Sequence, residues 1–296
     1  MPSFSARLVS FVLRTTGYYK RMFASVGYVQ KNLVKLRATP SAPAAKWQKK
    51  LEISNTVFQG RTVWHIDPKE TLSKTKVLYF HGGGYVFTAA SAHWDFMGHM
   101  AEKHGVSFVA PLYPLGPEAH IDEIIDYALA LYRDVLTRHD ARDIVVGGDS
   151  AGGGLTASLM ARVKAEGLPL PAGTILICPW LDMTMSHPDQ IAIEKRDAIL
   201  GITGLRAIGP LLAPDVPGSD VRLSPIHHDY QDFPPTLMFG GGDDILVTDA
   251  RALKAKQPAI EYQESKGMIH VWPVFIFPES RVAQADMARF IGRVTA

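Results

Sequence analysis

The chain has 296 residues, 47% of them hydrophobic and 20% charged, enough to bury one large core with room for a small lid. Lysine and arginine total 31 against 29 aspartate and glutamate, so a formal charge of +2 supplies no strong field for a polyanion, and nucleic acid is excluded as an expected partner. One cysteine, Cys178, rules out an intramolecular disulfide and fits a cytoplasmic location.

Residues 4 to 36 carry apolar side chains at helical spacing, with Arg7, Arg14, Lys20 and Arg21 between them, until Pro40 and Pro43 break the pattern. This predicts a helical arm open to three roles: a packed helix pair on the surface, a substrate lid or a weak membrane-surface anchor. No apolar run reaches spanning length and no cleavage site follows one, so neither stable membrane insertion nor secretion is expected. Leu51 to Val57 and Thr62 to Ile66 flank Gln59-Gly60 as a hairpin. Strands are then expected at 76–80, 106–110, 144–146, 174–177, 236–239 and 260–263, and helices at 91–104, 121–138, 150–166, 248–256 and 279–293. Alternation of this kind specifies an α/β architecture, a mostly parallel sheet with helices on both faces. Cys178 ends the apolar run from Thr174 and is expected in the core rather than as a nucleophile. The long stretch between Pro179 and Pro234, helical around Ile199 to Leu212, breaks the rhythm and marks a functional loop or lid.

Gly148-Asp149-Ser150-Ala151-Gly152 matches G-x-S-x-G between a predicted strand and a predicted helix. Small flanking residues let the backbone turn sharply there, and the hydroxyl projects at the top of the sheet with helix amides aimed at it. Ser150 is therefore the candidate nucleophile. His81-Gly82-Gly83-Gly84 follows the strand Val77-Leu78-Tyr79-Phe80, and residues without Cβ can turn backbone amides toward one point, as an oxyanion hole requires. A phosphate loop is the weaker reading, since neither a Walker lysine nor G-x-G-x-x-G spacing is present. In this fold an acid and then a histidine follow the serine. Of the histidines after Ser150, only His270 also follows a strand-end acid. Asp243 and Asp244 are both placed for the acid, and Asp244 is preferred because it directly precedes the apolar pair Ile245-Leu246. Asp249 is expected to start or face a helix.

With the HGGG loop and the GDSAGG elbow in place, the chain resembles the hormone-sensitive-lipase-like esterases of the α/β-hydrolase superfamily from about Val77 to the C-terminus. Tyr113-Pro114-Leu115-Gly116-Pro117-Glu118, Pro179-Trp180-Leu181-Asp182, Ser224-Pro225 and Phe233-Pro234-Pro235-Thr236 extend the likeness. It implies an α/β-hydrolase fold with a helical cap, and oxyanion amides from Gly83, Gly84 and Ala151. It further implies a cap built from an N-terminal arm, residues 1–45, and a second segment at about 183–215, over a catalytic domain spanning 46–296. Two departures stand out: Tyr113-Pro114-Leu115 replaces the family's tyrosine-arginine-leucine, and Ile245 stands where a proline usually follows the acid.

The expected activity is cleavage of short- to medium-chain carboxylic esters through an acyl-enzyme, with no metal or organic cofactor required. Tyr18, Tyr19, Phe23, Tyr85, Val86 and Phe87 are expected either to line an acyl pocket or to fill the interface between arm and core. Two alternatives remain: an amidase such as an arylformamidase, which shares the tetrahedral intermediate, and a ligand-binding scaffold without catalysis. The expected partner is a small-molecule ester, and a homodimer is admissible.

Overall fold

The computed structural model describes residues 2–22, 25–38, 41–70 and 74–296. Its arm folds as α1 (Phe4–Thr16), α2 (Tyr18–Met22) and α3 (Val26–Arg37), followed by the single turn α4 (Ala45–Gln48). Ser3 caps α1 by accepting the Ala6 N–H at 3.3 Å, and Gly17, at φ +58°, ends it in the left-handed conformation. That glycine breaks the predicted arm helix into pieces.

The hairpin forms as β1 (Leu51–Phe58) and β2 (Arg61–Pro68). The remaining strands are β3 (Lys76–Phe80), β4 (Ser107–Pro111), β5 (Ile144–Asp149), β6 (Gly173–Ile177), β7 (Thr236–Gly241) and β8 (Glu261–Ser265). They join one sheet in the order β1-β2-β4-β3-β5-β6-β7-β8, antiparallel at β1/β2 and β2/β4 and parallel from β4 to β8. Parallel strands covered on both faces read as continuous apolar runs, and β4, β5, β6 and β7 are buried at every residue.

The helices α5 (Ser91–His104), α6 (Ile121–Leu136), α7 (Ala151–Ala165), α11 (Val247–Lys256) and α12 (Pro278–Val294) flank the sheet. The excursion before β7 holds three short helices, α8 (Gln190–Glu194), α9 (Ile202–Arg206) and α10 (Gly209–Leu212). They form an inserted helical cap. Gly209-Pro210 splits the helix predicted for 199–212, because proline cannot donate the N–H that would join its halves. The arm is tied to this excursion, since Lys20 Nζ donates to the Glu194 carbonyl at 2.7 Å.

The direction of winding locates the working edge. From β3 the chain adds β4 on one side and then β5 on the other, so the connections diverge at the carboxyl end of β3, where open α/β sheets bind their ligands. The glycine loop leaves β3 at that point. Beside it, the serine elbow leaves β5.

Candidate active site

Ser150 caps α7 with φ +53° and ψ −120°, a strained conformation for any residue with a side chain. Three main-chain bonds hold the turn: Ser150 N–H donates to Ile177 O at 2.9 Å, while its carbonyl accepts from Trp180 at 2.9 Å and Gly154 at 3.1 Å. The elbow also needs α7 to start against the sheet. A Cβ on Gly152 would collide with the Phe80 carbonyl, and one on Gly148 would come within 2.5 Å of Gly152 and Phe80 backbone atoms. Gly152→Ala is therefore expected to cost about 3 kcal/mol or more, read as a fall in urea midpoint or loss of soluble protein. Gly292→Ala is the contrast. Its Cβ would meet nothing within 4 Å on the exposed face of α12, so it is expected to stabilise by up to about 1 kcal/mol.

Strands β5, β6, β7 and β8 are consecutive neighbours, and Ser150, Cys178, Asp244 and His270 follow their respective carboxyl ends. This brings side chains 120 positions apart in the chain to one rim of the sheet. His270 Nδ1 lies 2.8 Å from Asp244 Oδ2, with both residues buried. A carboxylate only accepts, so Nδ1 carries the proton and Nε2 of the neutral ring keeps its lone pair. Asp244 also accepts the Leu246 N–H at 2.8 Å. Burial pushes the imidazole pKa down, but the charge and hydrogen bond of Asp244, with smaller help from Asp197 and Asp149, outweigh it and raise His270 above its ordinary value.

Asp243 is placed elsewhere: it pairs with Arg196 at 3.0 Å on the surface. Cys178 is buried, as its run of neighbours implies, and burial raises its thiol pKa well above the usual range. Its sulfur lies within 4.8 Å of the Asp244 and His270 ligand atoms, a spacing that three metal ligands would also have. The Nδ1–Oδ2 hydrogen bond and a protonated thiol fit a proton relay better than a cation.

The loop after β3 turns through Gly83 at φ +122° and Gly84 at φ +62°. A side chain on Gly83 would strike the Phe87 carbonyl, whose residue donates its own N–H to Gly83 O at 2.9 Å. Among the described residues, the Gly83 and Gly84 N–H groups have no main-chain acceptor. Ala151 N–H opens α7 and has no intrahelical acceptor. Tyr85, Val86 and Phe87 are buried in the core, and the Val86 carbonyl accepts from Arg37 Nε of the arm at 2.9 Å, while Tyr85 packs beside Trp180. Tyr19 is partly buried against the same core; Phe23 and the side chain of Tyr18 lie outside the described residues. A cavity of about 330 Å³ lined by Met160, Thr174, Tyr230 and Thr236 sits at the amino ends of β6 and β7, the opposite edge from Ser150.

Two carboxylates that sequence reading did not single out organise the site. Asp149 accepts from Tyr79 OH at 2.8 Å and Gly82 N–H at 3.0 Å and pairs with His93 Nε2 at 3.1 Å, fastening the glycine loop to the elbow. Burial would raise its pKa, yet His93 and Tyr79 hold it below the usual carboxylate range. Asp197 accepts Ile199 and Leu200 N–H at 2.8 Å and, across the fold, Ile245 N–H at 2.9 Å. It thereby ties the cap to the residue after Asp244, while burial and then the Asp244 charge push its pKa up to about 7. Neither role has a local sign, since Asp149 sits between Gly148 and Ser150 and Asp197 follows Glu194-Lys195-Arg196; it is burial in the fold that obliges each carboxylate to find donors. Asp249 does face a helix, in the first turn of α11, and accepts Leu181 and Asp182 N–H at 2.9 and 3.0 Å.

The family model for the alpha/beta hydrolase fold matches residues 77–274, from β3 to the turn beyond His270. Fold and family together define a serine-hydrolase-type enzyme that acts as an esterase or lipase. An esterase of Acinetobacter venetianus is 31% identical over 231 residues, covering 75% of this chain and 76% of its own. An acetyl-hydrolase of Streptomyces hygroscopicus is 30% identical, covering 74% and 76%. A solved esterase from the bacterial hormone-sensitive lipase family superposes with a TM-score of 0.85 at 26% identity, covering all of both chains. The chain belongs to the hormone-sensitive-lipase-like family of α/β hydrolases, and its substrate is a small-molecule ester. No helix among the described residues is long and apolar enough to cross a membrane.

Proposed function

We propose that Ser150, His270 and Asp244 are the catalytic triad, and that the enzyme hydrolyses short- to medium-chain carboxylic esters through an acyl-enzyme. The observation that carries this reading is the 2.8 Å Nδ1–Oδ2 contact, set one strand beyond the Cys178 turn and two beyond the strained Ser150 elbow. His270 Nε2 takes the Ser150 proton as Oγ attacks the carbonyl carbon, then returns it to the departing alcohol. Water repeats the sequence on the acyl-enzyme. Gly83, Gly84 and Ala151 supply the N–H groups for the tetrahedral oxyanion, worth roughly 10²–10³ in kcat per donor. Residues 1–45 and about 183–215 act as the cap over a catalytic domain of 46–296; the Lys20–Glu194 and Asp197–Ile245 bonds support that division.

A short acyl chain is supported by the name of the Streptomyces relative, an acetyl-hydrolase. Nitrophenyl acetate, butyrate, octanoate and palmitate, measured on the wild type, test it. The expected kcat/KM peaks at or before octanoate and falls at least about tenfold at palmitate, the loss of a few kcal/mol of acyl-pocket fit. A maximum at palmitate overturns the chain-length reading.

The same assignment sets a pH limb. His270 must be neutral to act as base, and its raised pKa means the neutral fraction begins to fall at higher pH than for a free imidazole. The acid limb of kcat/KM is expected to inflect above about 6.5, the unperturbed imidazole value. A flat profile down to about pH 4, the ordinary carboxylate range, contradicts a histidine base.

A further inference from the structure

Helix α1 is apolar on both sides. Ala6 and Ser10 are buried against the body of the protein, with Leu13 packed partly beside them. On the opposite side Phe4, Leu8, Phe11 and Val12 are 73%, 50%, 58% and 45% exposed. Their i, i+4, i+7, i+8 spacing places all four on one stripe, and Arg7 and Arg14, both exposed, share one flank of it. Exposed large apolar side chains scattered singly need no explanation, but four in a row on one helix face do.

Charge adds an independent observation. All of the first 51 residues lack aspartate and glutamate; Glu52 is the first acid in the sequence. Ten of the 31 lysines and arginines fall in residues 1–50, leaving 21 against 29 acids in the remainder. The near-neutral chain thus divides into a first 50 residues of +10, seven of those charges on the arm 1–45, and a remainder of −8. Averaged composition hides this.

We propose that the outer face of α1 is a docking surface for an anionic lipid bilayer, on which the helix lies flat with Phe4, Leu8 and Phe11 inserted. An outward apolar stripe with a basic flank and no acid is the chemistry that recognises such a surface: apolar area enters the interface while arginines reach the anionic headgroups. Neighbouring features extend it. Ser3 bonds Glu279 at the start of α12, beside Ile276 and Val282, which are 67% and 62% exposed. Lys20 joins α2 to α8, where Ile191 is 67% exposed. Pro2 packs beside Gly267, at the start of the loop carrying His270, so docking brings the working edge of the sheet toward the lipid. A second copy of this chain fits less well, because a symmetric contact sets basic arm against basic arm. Nucleic acid has no use for a central stripe of Phe and Leu. The orientation toward substrate rests on the esterase reading; the binding itself does not.

Flotation with vesicles of phosphatidylcholine alone or with about 30% phosphatidylserine tests the surface, using Ser150→Ala so that hydrolysis plays no part. Partitioning is expected to be at least about tenfold stronger on the anionic vesicles and to lose most of that preference in about 0.5 M salt. Phe4→Ser/Leu8→Ser/Phe11→Ser is expected to reduce it by about 100-fold with unchanged melting, since all three side chains face away from the body of the protein. Arg7→Gln/Arg14→Gln is expected to lower only the anionic preference. Absence of flotation, flotation indifferent to the triple substitution, or a dimer that the triple substitution dissolves overturns the proposal. Failure of the esterase reading is a separate result, an enzyme with Ser150 intact that cleaves no ester.

Discussion

Replacing Ser150 by alanine is expected to lower kcat for a butyrate ester on the order of 10⁶-fold while leaving the protein folded. The loss is that large because nucleophile and base act as a unit: without Oγ, His270 has no hydroxyl to deprotonate, and only the amides and binding remain. The fold survives for a structural reason. What fixes the elbow is main chain, through Ile177 O, Trp180 N and Gly154 N, and alanine keeps all three bonds and the same left-handed strain. Active-site titration with a fluorophosphonate and a circular-dichroism melt check both halves. A variant that melts like wild type and keeps more than about a tenth of its rate removes Ser150 as nucleophile, since no residual mechanism in such enzymes approaches that level.

The parts of this molecule legible in the sequence are those whose physics is local. Helix α5 falls at 91–104 as its periodicity predicts, and β3 at 76–80, because the buried faces repeat with the period of the backbone. Strand β5 runs to Asp149 rather than stopping at Val146: Gly147 and Gly148 contribute no apolar side chain to the pattern but pair with Ile175 and Leu176 all the same. The order of serine, acid and histidine is readable because each follows a separate strand end. What joins them is not. Nothing near Asp149 in sequence announces Tyr79 or His93, and nothing near Asp197 announces Ile245, since those bonds form only when the cap and the sheet come together. The arm shows the same limit in its electrostatics, where a net charge of +2 conceals two opposite domains of charge.

The choice between adjacent aspartates yields the second large effect. Asp244→Asn is expected to lower kcat about 10⁴-fold, because an amide can satisfy Nδ1 only in the wrong tautomer or with its oxygen uncharged, and the imidazolium formed during attack loses its counter-ion. Asp243→Asn should change kcat less than about threefold: it removes a surface pair with a half-exposed Arg196, an interaction worth at most about 1 kcal/mol. The pH profile separates a lost charge from a merely disturbed loop. Burial lowers the His270 pKa and Asp244 is the main influence raising it, so removing that charge leaves burial opposed only by the smaller pull of Asp197 and Asp149, and the acid limb of the residual activity should move to lower pH. Asp197, released from the repulsion of a neighbouring carboxylate, should ionise more readily in the same variant. Equal losses at Asp243 and Asp244, or a limb that stays in place when Asp244 is neutralised, would show that some other group orients the histidine.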